Sequence, residues 1–357
     1  MLYVSRPEAE IRRWKRGRTV KFEPFEGLNT PLLVIDYRND PLELYQTPQM
    51  DGKPVVSGKR SFLIKPVEIV YRIKASAFNP RKPTIEKDKH DPFRIIGGQT
   101  ESNMENEHEF SDMYNRFLLK EGIEPVMRVV GYFDYGLDFK GRKPVATIIE
   151  IKGDTRLDEF FAAIESRLPI GYAGAIEKQI RHFYEEVGKC AGSLVGLMHD
   201  NDITWTDGPG RNNSHIGNLV VFGNQDIQIG QTDFDSASNK RDFSESGLWR
   251  QKKRDVDYFL KSSESFLSFS LHTHPIWPPG TGVITRHRRW FNNGFRKAYD
   301  SERQRKFTVD RDLFIELCEA LPERHGRDTV TVETKEGVIN ILTYSARSTL
   351  DEIRFKK

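Results

Sequence analysis

The sequence predicts an α+β fold with a sheet-rich N-terminal lobe and a mainly helical C-terminal lobe. Short runs rich in Val and Ile, such as residues 62–75 and 143–151, dominate the first 150 residues. Long segments with apolar residues at helical spacing, such as 177–203 and 245–272, dominate the remainder. Strands followed by helices are typical of the α+β class, and 357 residues are enough for each lobe to bury its own core.

The composition predicts a soluble cytoplasmic protein. The chain is 37% hydrophobic and 30% charged, and no apolar run approaches the ~20 residues that span a bilayer. The N-terminus carries charges where a signal peptide needs an apolar core, so we expect no secretion signal and no membrane partner. The two cysteines, Cys190 and Cys318, lie far apart, which argues against a disulfide framework or a thiolate metal site.

The elements of the N-terminal lobe follow from local patterns. Residues 62–75 fit two strands or one long bent strand. Residues 101–123 read as a helix that stops at Gly122, and strands follow at 125–136 and 143–151. The segment 150–154, EIKGD, is the predicted hinge to the second lobe.

The C-terminal lobe is predicted to be helical apart from one small hairpin. We expect helices at 177–203, 245–272 and 309–321, and a terminal hairpin at 328–345. The predicted domain organisation is an N-terminal lobe at 1–149, a helical lobe at 150–325 and a C-terminal hairpin extension at 326–357.

The small hairpin brings together residues that suit a metal ion. Asn218 directly precedes the strand LVVF, and Asp233 directly follows the strand IQIGQT. Hairpin strands run antiparallel, so the start of one and the end of the other are neighbours. An amide oxygen beside a carboxylate suits Mg²⁺. Asp235 adds a second carboxylate or faces solvent, and His215 lies in the approach to Asn218.

The run LMHDNDITWTD, followed by HIGNLVVFG and IQIGQTDFDSA, resembles the catalytic core of the protein-kinase-like phosphotransferases. The resemblance is nearest to the aminoglycoside- and choline-kinase-like branch and covers roughly residues 55–275. In the same order, IVYRIKA resembles the strand with the phosphate-binding Lys, and TIIEIKGDTRLDEFF resembles the inter-lobe linker. The resemblance implies a bilobal kinase-like fold and an enzyme that uses ATP and Mg²⁺.

The resemblance also implies roles for individual residues. Lys74 would hold the α- and β-phosphates, with Glu109 as its preferred partner on the 101–121 helix and Glu107 and Glu105 as alternatives. The backbone around Glu150 and Ile151, from Ile149 onward, would bind adenine. Asn218 and Asp233, with Asp235 as a further candidate, would hold Mg²⁺. The γ-phosphoryl would pass to a hydroxyl of an acceptor that the sequence does not identify.

The catalytic base has two candidates. Counting forward from Ile203 places Asp207 in the base position, with GPGRNN looped out and Arg211 able to reach a phosphate. Counting back from Asn218 places Asn213 there, and an amide accepts no proton at neutral pH. We prefer Asp207. The alternative is a pseudokinase or a nucleotidyl-transferring protein with Asn213 in place of the catalytic Asp.

Basic segments supply further candidates. The chain lacks a glycine-rich GxGxxG loop, and Lys59 or Arg60 of SGKR (57–60) is either a cover for the phosphates or part of an ordinary turn. The stretches 11–18 and 285–297 interleave cations with aromatics, as in nucleic-acid binding, or they are solvated faces. Hence an acidic or phosphorylated acceptor, and a nucleic-acid-binding scaffold, are further possibilities.

Overall fold

The computed structural model describes residues 4–5, 18–22, 55–57, 61–64, 70–76, 78, 85–86, 94–95, 97–139, 141–153, 155–165, 173–206, 213–223, 226–272, 282–320, 329–334 and 337–342. The chain is a mixed α/β protein that divides into two compact units. The first unit comprises Met1–Met113 and Met127–Lys152, and the second comprises Tyr114–Val126 and Gly153–Lys357. The predicted boundaries 1–149, 150–325 and 326–357 stay predictions.

The first unit is built on antiparallel sheets. Its largest sheet has the strand order β2-β9-β10-β5-β4-β3, with β8 also paired to β10, and a smaller sheet has the order β1-β6-β7. The strands are β1 (Val4–Ser5), β2 (Arg18–Lys21), β3 (Val55–Ser57), β4 (Ser61–Ile64), β5 (Val70–Lys74), β6 (Ile85–Glu86), β7 (Arg94–Ile95), β8 (Gln99–Thr100), β9 (Met127–Asp134) and β10 (Pro144–Ile151). Two separate strands, β4 and β5, therefore form from the apolar segment 62–75.

Lys74 ends the central strand β5, between β4 and β10. Its cross-strand neighbours are Ser61 on one side and Thr147 on the other. Ala75, the next residue, takes a left-handed conformation with φ 61°, which breaks the strand there. The core of this unit includes side chains from β5, β7, β9, β10 and adjoining loops: Tyr71, Ile73, Phe78, Ile95, Val130, Phe133, Tyr135, Leu137, Phe139, Ala146 and Ile148.

The helix α1 (Glu101–Lys120) follows β8 directly. It ends where the sequence predicts, because Gly122 adopts φ +71°, a conformation that glycine enters without strain. The amide of Ile123 donates to the Leu118 carbonyl at 2.9 Å, which satisfies an acceptor of the last turn.

Five α-helices of the described residues lie within the second unit. Its α-helices are α2 (Leu157–Glu165), α3 (Ala175–Asp200), α4 (Glu245–His272), α5 (Gly282–Tyr299) and α6 (Arg311–Ala320), and two 3₁₀ turns span Ile216–Asn218 and Glu302–Gln304. Thus the helices expected at 177–203, 245–272 and 309–321 form. Among the described helices, none combines the length and the apolar character needed to cross a membrane.

Short strands complete the second unit. They are β11 (Thr155–Arg156), β12 (Ile203–Thr204), β13 (Leu219–Phe222), β14 (Ile227–Gln231), β15 (Ser238–Asn239), β16 (Thr308–Val309), β17 (Thr329–Thr334) and β18 (Gly337–Leu342). One antiparallel sheet has the order β11-β13-β14-β16, and β12-β15 and β17-β18 form separate pairs. The hairpin β13–β14 has Leu219 opposite Gln231, so the predicted pairing of its two strands is confirmed.

The helices α3 and α5 cross at very short distance. Gly188 and Gly192 of α3 lie against the carbonyls of Phe291 and Phe295 on α5, so a Cβ at either glycine would overlap an oxygen. Gly294 of α5 meets the Glu185 carbonyl in the same way. This crossing fixes the position of α3, whose last residues lead into β12 and the candidate catalytic segment.

Candidate functional site

Lys74 forms a buried ion pair in the first unit. Its Nζ lies 2.9 Å from Glu107 Oε1 and 3.0 Å from Oε2. The Lys74 side chain is 14% exposed and that of Glu107 is fully buried. A buried carboxylate without a partner would cost several kcal/mol, so the pair holds the ammonium in one place.

Glu107, and not Glu109, is the partner of Lys74, which corrects the preferred sequence assignment. The buried face of α1 carries Met104, Phe110, Tyr114 and Leu118, and Glu107 lies on that face. Glu109 is two positions on, about 200° around the helix, and is exposed, as is Glu105. The assignment of Glu109 rested on its distance from the end of the helix, which does not take the buried face into account. Helical spacing from Met104 would have selected Glu107.

A network of two further hydrogen bonds holds the carboxylate of Glu107 in place. Gln99 Nε2 donates to Glu107 Oε2 at 3.2 Å, and Thr147 Oγ1 donates to Gln99 Oε1 at 2.9 Å. Gln99 and Thr147 are both buried. Sequence reasoning missed these residues, because Gln99 comes from β8 and Thr147 from β10 and only the sheet makes them adjacent.

The hairpin places Asn218 beside the residue before Asp233. The Asn218 carbonyl accepts from the Thr232 amide at 2.9 Å and from Thr232 Oγ1 at 3.0 Å. These bonds continue the β13–β14 ladder by one residue and lock the turn after β14. The predicted proximity of Asn218 to the end of β14 is therefore confirmed.

Asp233 has a strained backbone that two side chains hold. Its φ is 70°, a conformation uncommon for a residue with a side chain and often found at functional sites. The Asp233 carbonyl accepts from Trp205 Nε1 at 3.2 Å and from Asn213 Nδ2 at 2.9 Å. Since Trp205 is fully buried, this anchor is rigid.

The Asn218 side chain supplies the amide oxygen that the predicted Mg²⁺ site requires. Asn218 Nδ2 donates to the Asn213 carbonyl at 3.0 Å, which identifies Oδ1 as the other atom of that amide, a ligand type that Mg²⁺ accepts. Asn213 Nδ2 also donates to Asp235 Oδ1 at 2.8 Å, so Asp235 is partly engaged within the protein. Among the described residues, no group of three or more His, Cys, Asp and Glu side chains could hold a metal ion. A site here has to use the Asn218 amide.

Asp255 of α4 anchors both flanks of the segment 207–212. Its carboxylate accepts from the Trp205 amide and from Thr206 Oγ1, each at 2.7 Å. Its carbonyl accepts from Ser214 Oγ at 2.6 Å, and His199 Nε2 lies 3.2 Å from Oδ2. Sequence reasoning missed Asp255. The signal for it was a charged residue at the core-facing position of α4, in helical register with Leu248, Gln251 and Phe259.

His215 stays neutral near the candidate metal residues. Burial lowers the pKa of His215 to about 4, although the negative charge of Asp233 opposes this shift and Arg156 adds to it. Burial also raises the pKa of Asp158 in the first turn of α2. Arg156 Nη1 donates to the Gly217 carbonyl at 2.9 Å, which ties the start of α2 to the turn that carries Asn218.

The remaining predicted site residues have other environments or lie outside the described residues. Glu150 pairs with Arg128 at 2.8 Å, and Ile151 is paired to strands on both sides, with Val70 and Met127. The pairing of the sheet therefore occupies this backbone. The main chain leaves the sheet only after Ile151, so a backbone contact with adenine would have to come from there. The positions outside the described residues are Asp207, Lys59, Arg60 and Arg211.

The predicted basic–aromatic stretch 285–297 forms part of α5. Its aromatic residues Trp290, Phe291 and Phe295 are buried in the core, whereas Arg289 and Arg296 are exposed. The aromatic rings therefore do not lie beside the cations on the surface. This agrees with the alternative of a solvated basic face and not with stacking on bases. In the stretch 11–18, only Arg18 belongs to the described residues.

Comparison with known proteins gives weak structural resemblances only. The chain is similar to the structure of WaaP in complex with acyl carrier protein, at 15% identity and a TM-score of 0.35, over 74% of this chain and 86% of that chain. It is also similar to a glucosamine kinase, at 11% identity and a TM-score of 0.37, over 73% and 69% of the two chains. Another structure of glucosamine kinase, in complex with glucosamine, ADP and inorganic phosphate, aligns at 10% identity with a TM-score of 0.34.

No family model and no curated protein matches the sequence. Similarity at these TM-scores assigns no function to this chain, so the case for a function has to come from the site geometry. The narrower placement in the aminoglycoside- and choline-kinase-like branch stays a prediction.

Proposed function

We propose that this protein is an ATP- and Mg²⁺-dependent phosphotransferase that passes the γ-phosphoryl group to a hydroxyl. The observation that carries the proposal is the arrangement around Asp233. Asp233 follows the hairpin and has a left-handed backbone conformation. Its carbonyl accepts hydrogen bonds from Trp205 and Asn213, and Asn213 also binds the Asn218 side chain.

The chain would contribute two groups of residues to this reaction. Asn218 and Asp233 would hold Mg²⁺, which when bound neutralises charge on the phosphates. Lys74 would bind the α- and β-phosphates, with Glu107 and Gln99 fixing the direction of its ammonium group. Main chain after the end of β10, from Lys152 onward, would bind adenine.

Asp207 is the proposed base for the acceptor hydroxyl. Thr206, its neighbour in sequence, is held by Asp255, and Trp205 donates to the Asp233 carbonyl. Asn213, on the other side of the segment 207–212, donates to that same carbonyl. Both flanks of the segment are therefore anchored at Asp233, which supports Asp207, the residue after Thr206, as the base.

The first prediction concerns nucleotide binding. ATP with Mg²⁺ at 100 times its Kd should stabilise the folded protein by about 2.7 kcal/mol, which thermal unfolding detects. Asp233→Asn and Glu107→Gln should remove most of the ATP-dependent shift. Their matched controls, Asp300→Asn and Glu109→Gln, change exposed residues of the same type and should retain it.

Two outcomes would contradict this prediction. If wild type shows no ATP-dependent stabilisation, nucleotide binding is wrong. If Glu109→Gln loses the shift and Glu107→Gln keeps it, the phosphate-binding role of the Lys74–Glu107 pair is wrong. Circular dichroism of each variant without nucleotide establishes that it is folded.

A second candidate function follows from Asn213. Its carbonyl accepts from Asn218 Nδ2, five residues on, which supports the alternative count in which Asn213 occupies the base position. In that case the protein would bind nucleotide without base-assisted transfer to a hydroxyl, as a pseudokinase or a nucleotidyl-transferring protein.

The second prediction separates the two candidates. If Asp207 is the base, Asp207→Asn should lower ATP turnover in the presence of acceptor by 10²-fold or more, since general-base catalysis contributes about 10²–10⁴-fold. In that case Asn213→Asp should change ATP turnover little. If Asn213 occupies the base position, Asn213→Asp should instead raise turnover and Asp207→Asn should leave it unchanged. ATP affinity, measured in parallel, should stay within a few-fold in both variants.

The acceptor is proposed only as a hydroxyl compound, and the preference for an acidic or phosphorylated one rests on the basic residues of the stretch 285–297. Transfer of the labelled phosphoryl group from γ-labelled ATP to pools of small alcohols, peptides and oligonucleotides is the direct test of acceptor class.

A further inference from the structure

One helical face in the second unit carries exposed aromatic rings together with cations. Trp249 and Tyr258 of α4 are 64% and 37% exposed, and they are among the few large hydrophobic residues on the surface of the described part of the chain. The cations Arg250, Lys253, Arg254 and Lys261 are exposed on the same helix. We call these two aromatic and four basic residues the α4 face.

Helical geometry makes this set a continuous surface. At 100° per residue, Trp249 and Tyr258 lie on opposite edges of an exposed arc of about 180°, and the four cations lie between them. The two aromatic residues are about 13 Å apart along the helix axis, nine residues at about 1.5 Å each. Between Trp249 and Lys261, Asp257 is the one acidic residue inside this arc. The opposite side of α4, with Leu248, Asp255 and Phe259, is buried in the unit.

The α4 face has the chemistry of a single-stranded nucleic-acid site. Lys253 Nζ already lies 5.6 Å from the centre of the Trp249 ring, a cation–π contact that holds the ring beside positive charge. Lys252 of α4 and the nearby Lys240 lie outside the α4 face, and both form ion pairs with Asp202. Exposed rings stack on unpaired bases, and cations between them bind the phosphates that link those bases.

We propose that the α4 face binds single-stranded nucleic acid. This inference is independent of the proposed phosphotransferase reaction. A duplex fits less well, because its bases are already stacked and paired and offer no face to Trp249 and Tyr258. A membrane fits less well because an interfacial helix inserts a broad apolar face, whereas the apolar side of α4 faces the protein core.

The third prediction is a loss of affinity when this face is changed. The probe is a fluorescein-labelled 15-nucleotide single strand, measured by anisotropy at several salt concentrations. Wild type should bind it more tightly than a duplex of the same length. Arg250→Glu with Arg254→Glu should weaken binding by at least tenfold. The same change should make the negative slope of log K against log salt shallower by about 1.4, or about 0.7 for each phosphate that the protein no longer neutralises.

A matched control separates this face from general charge. Arg289→Glu with Arg296→Glu changes two exposed cations of α5 and alters the net charge by the same amount. Its affinity for the strand should stay within about threefold of wild type. Trp249→Ala should weaken binding about tenfold with the salt slope unchanged, because stacking releases no counterions.

Several outcomes would overturn the proposal. They are the absence of strand binding by wild type, equal losses in the α4 and α5 double variants, and tighter binding of the duplex than of the single strand. Binding to vesicles that contain anionic lipid, without binding to the strand, would assign the face to a membrane surface instead.

Discussion

Lys74 and Glu107 illustrate how a site residue is defined by its burial as well as by its distance. Sequence order located the strand with Lys74 and the helix with its partner, but three glutamates at alternate positions were candidates. The helix turns 200° between Glu107 and Glu109, so only the first faces the core. Gln99 and Thr147 then orient the carboxylate, which no local pattern predicts.

The fourth prediction concerns the titration of His215. Its pKa falls from 6.5 to about 4 in the folded protein because burial favours the neutral imidazole. Between these values the unfolded chain binds more protons, so the free energy of unfolding rises with pH. Stability from this group is present above about pH 6.5 and lost as the pH falls to about 4, up to about 3 kcal/mol.

Urea unfolding of wild type and His215→Gln from pH 4 to pH 7 measures this effect. The difference in unfolding free energy between the two proteins should depend on pH in that window and be constant above it. Comparison of the pair is necessary because Asp158, whose raised pKa acts with the opposite sign, titrates in both proteins. A pH-independent difference would show that His215 is not neutralised by folding.

At the scale of elements, the hairpin β13–β14 was the most predictable part of the site. Two short apolar runs joined by a polar turn predict the hairpin, and its register brings Asn218 next to Thr232, the residue before Asp233. The left-handed backbone of Asp233 was not predictable, because it depends on donors from Trp205 and Asn213, which lie 28 and 20 residues earlier in the chain.

The fifth prediction concerns the crossing of α3 and α5. Gly192→Ala should lower the free energy of unfolding by about 1–3 kcal/mol, since its Cβ would overlap the Phe295 carbonyl and the helices would have to separate. The control is Gly247→Ala in the first turn of α4, where the nearest contact is the exposed Ser244 side chain and not a carbonyl of another helix. There the alanine should be neutral or stabilising, by at most about 1 kcal/mol.

The midpoint of urea unfolding, with the slope m checked for each protein, measures both variants. Equal effects of the two substitutions would mean that the close approach of α3 and α5 does not limit stability. If only the Gly192 substitution lowers the free energy of unfolding, we also expect the end of α3 to shift. The response to ATP should then be weaker, because α3 leads into β12 and Trp205.

At the scale of the whole molecule, the candidate residues belong to two units. The first contains the Lys74–Glu107 pair and the hydrogen bonds that hold it in place, and the second contains Asn218, Asp233 and the anchoring Asp255. The order of these residues along the chain was visible from motifs, and it is what gave the resemblance to kinase-like phosphotransferases. The acceptor was not visible, because the residues that select it belong to no motif.

The sequence by itself determined the element types, the hairpin register and the set of polar residues available for nucleotide chemistry. These follow from local periodicity, which depends on residues close together in the chain. Only the tertiary structure decided that Glu107 faces Lys74, that Asp255 anchors the flanks of the segment 207–212, and that the aromatics of 285–297 are buried. It also placed Trp249 and Tyr258 on the surface. Each of these depends on which helix face packs against the core, and that choice is made by residues distant in sequence.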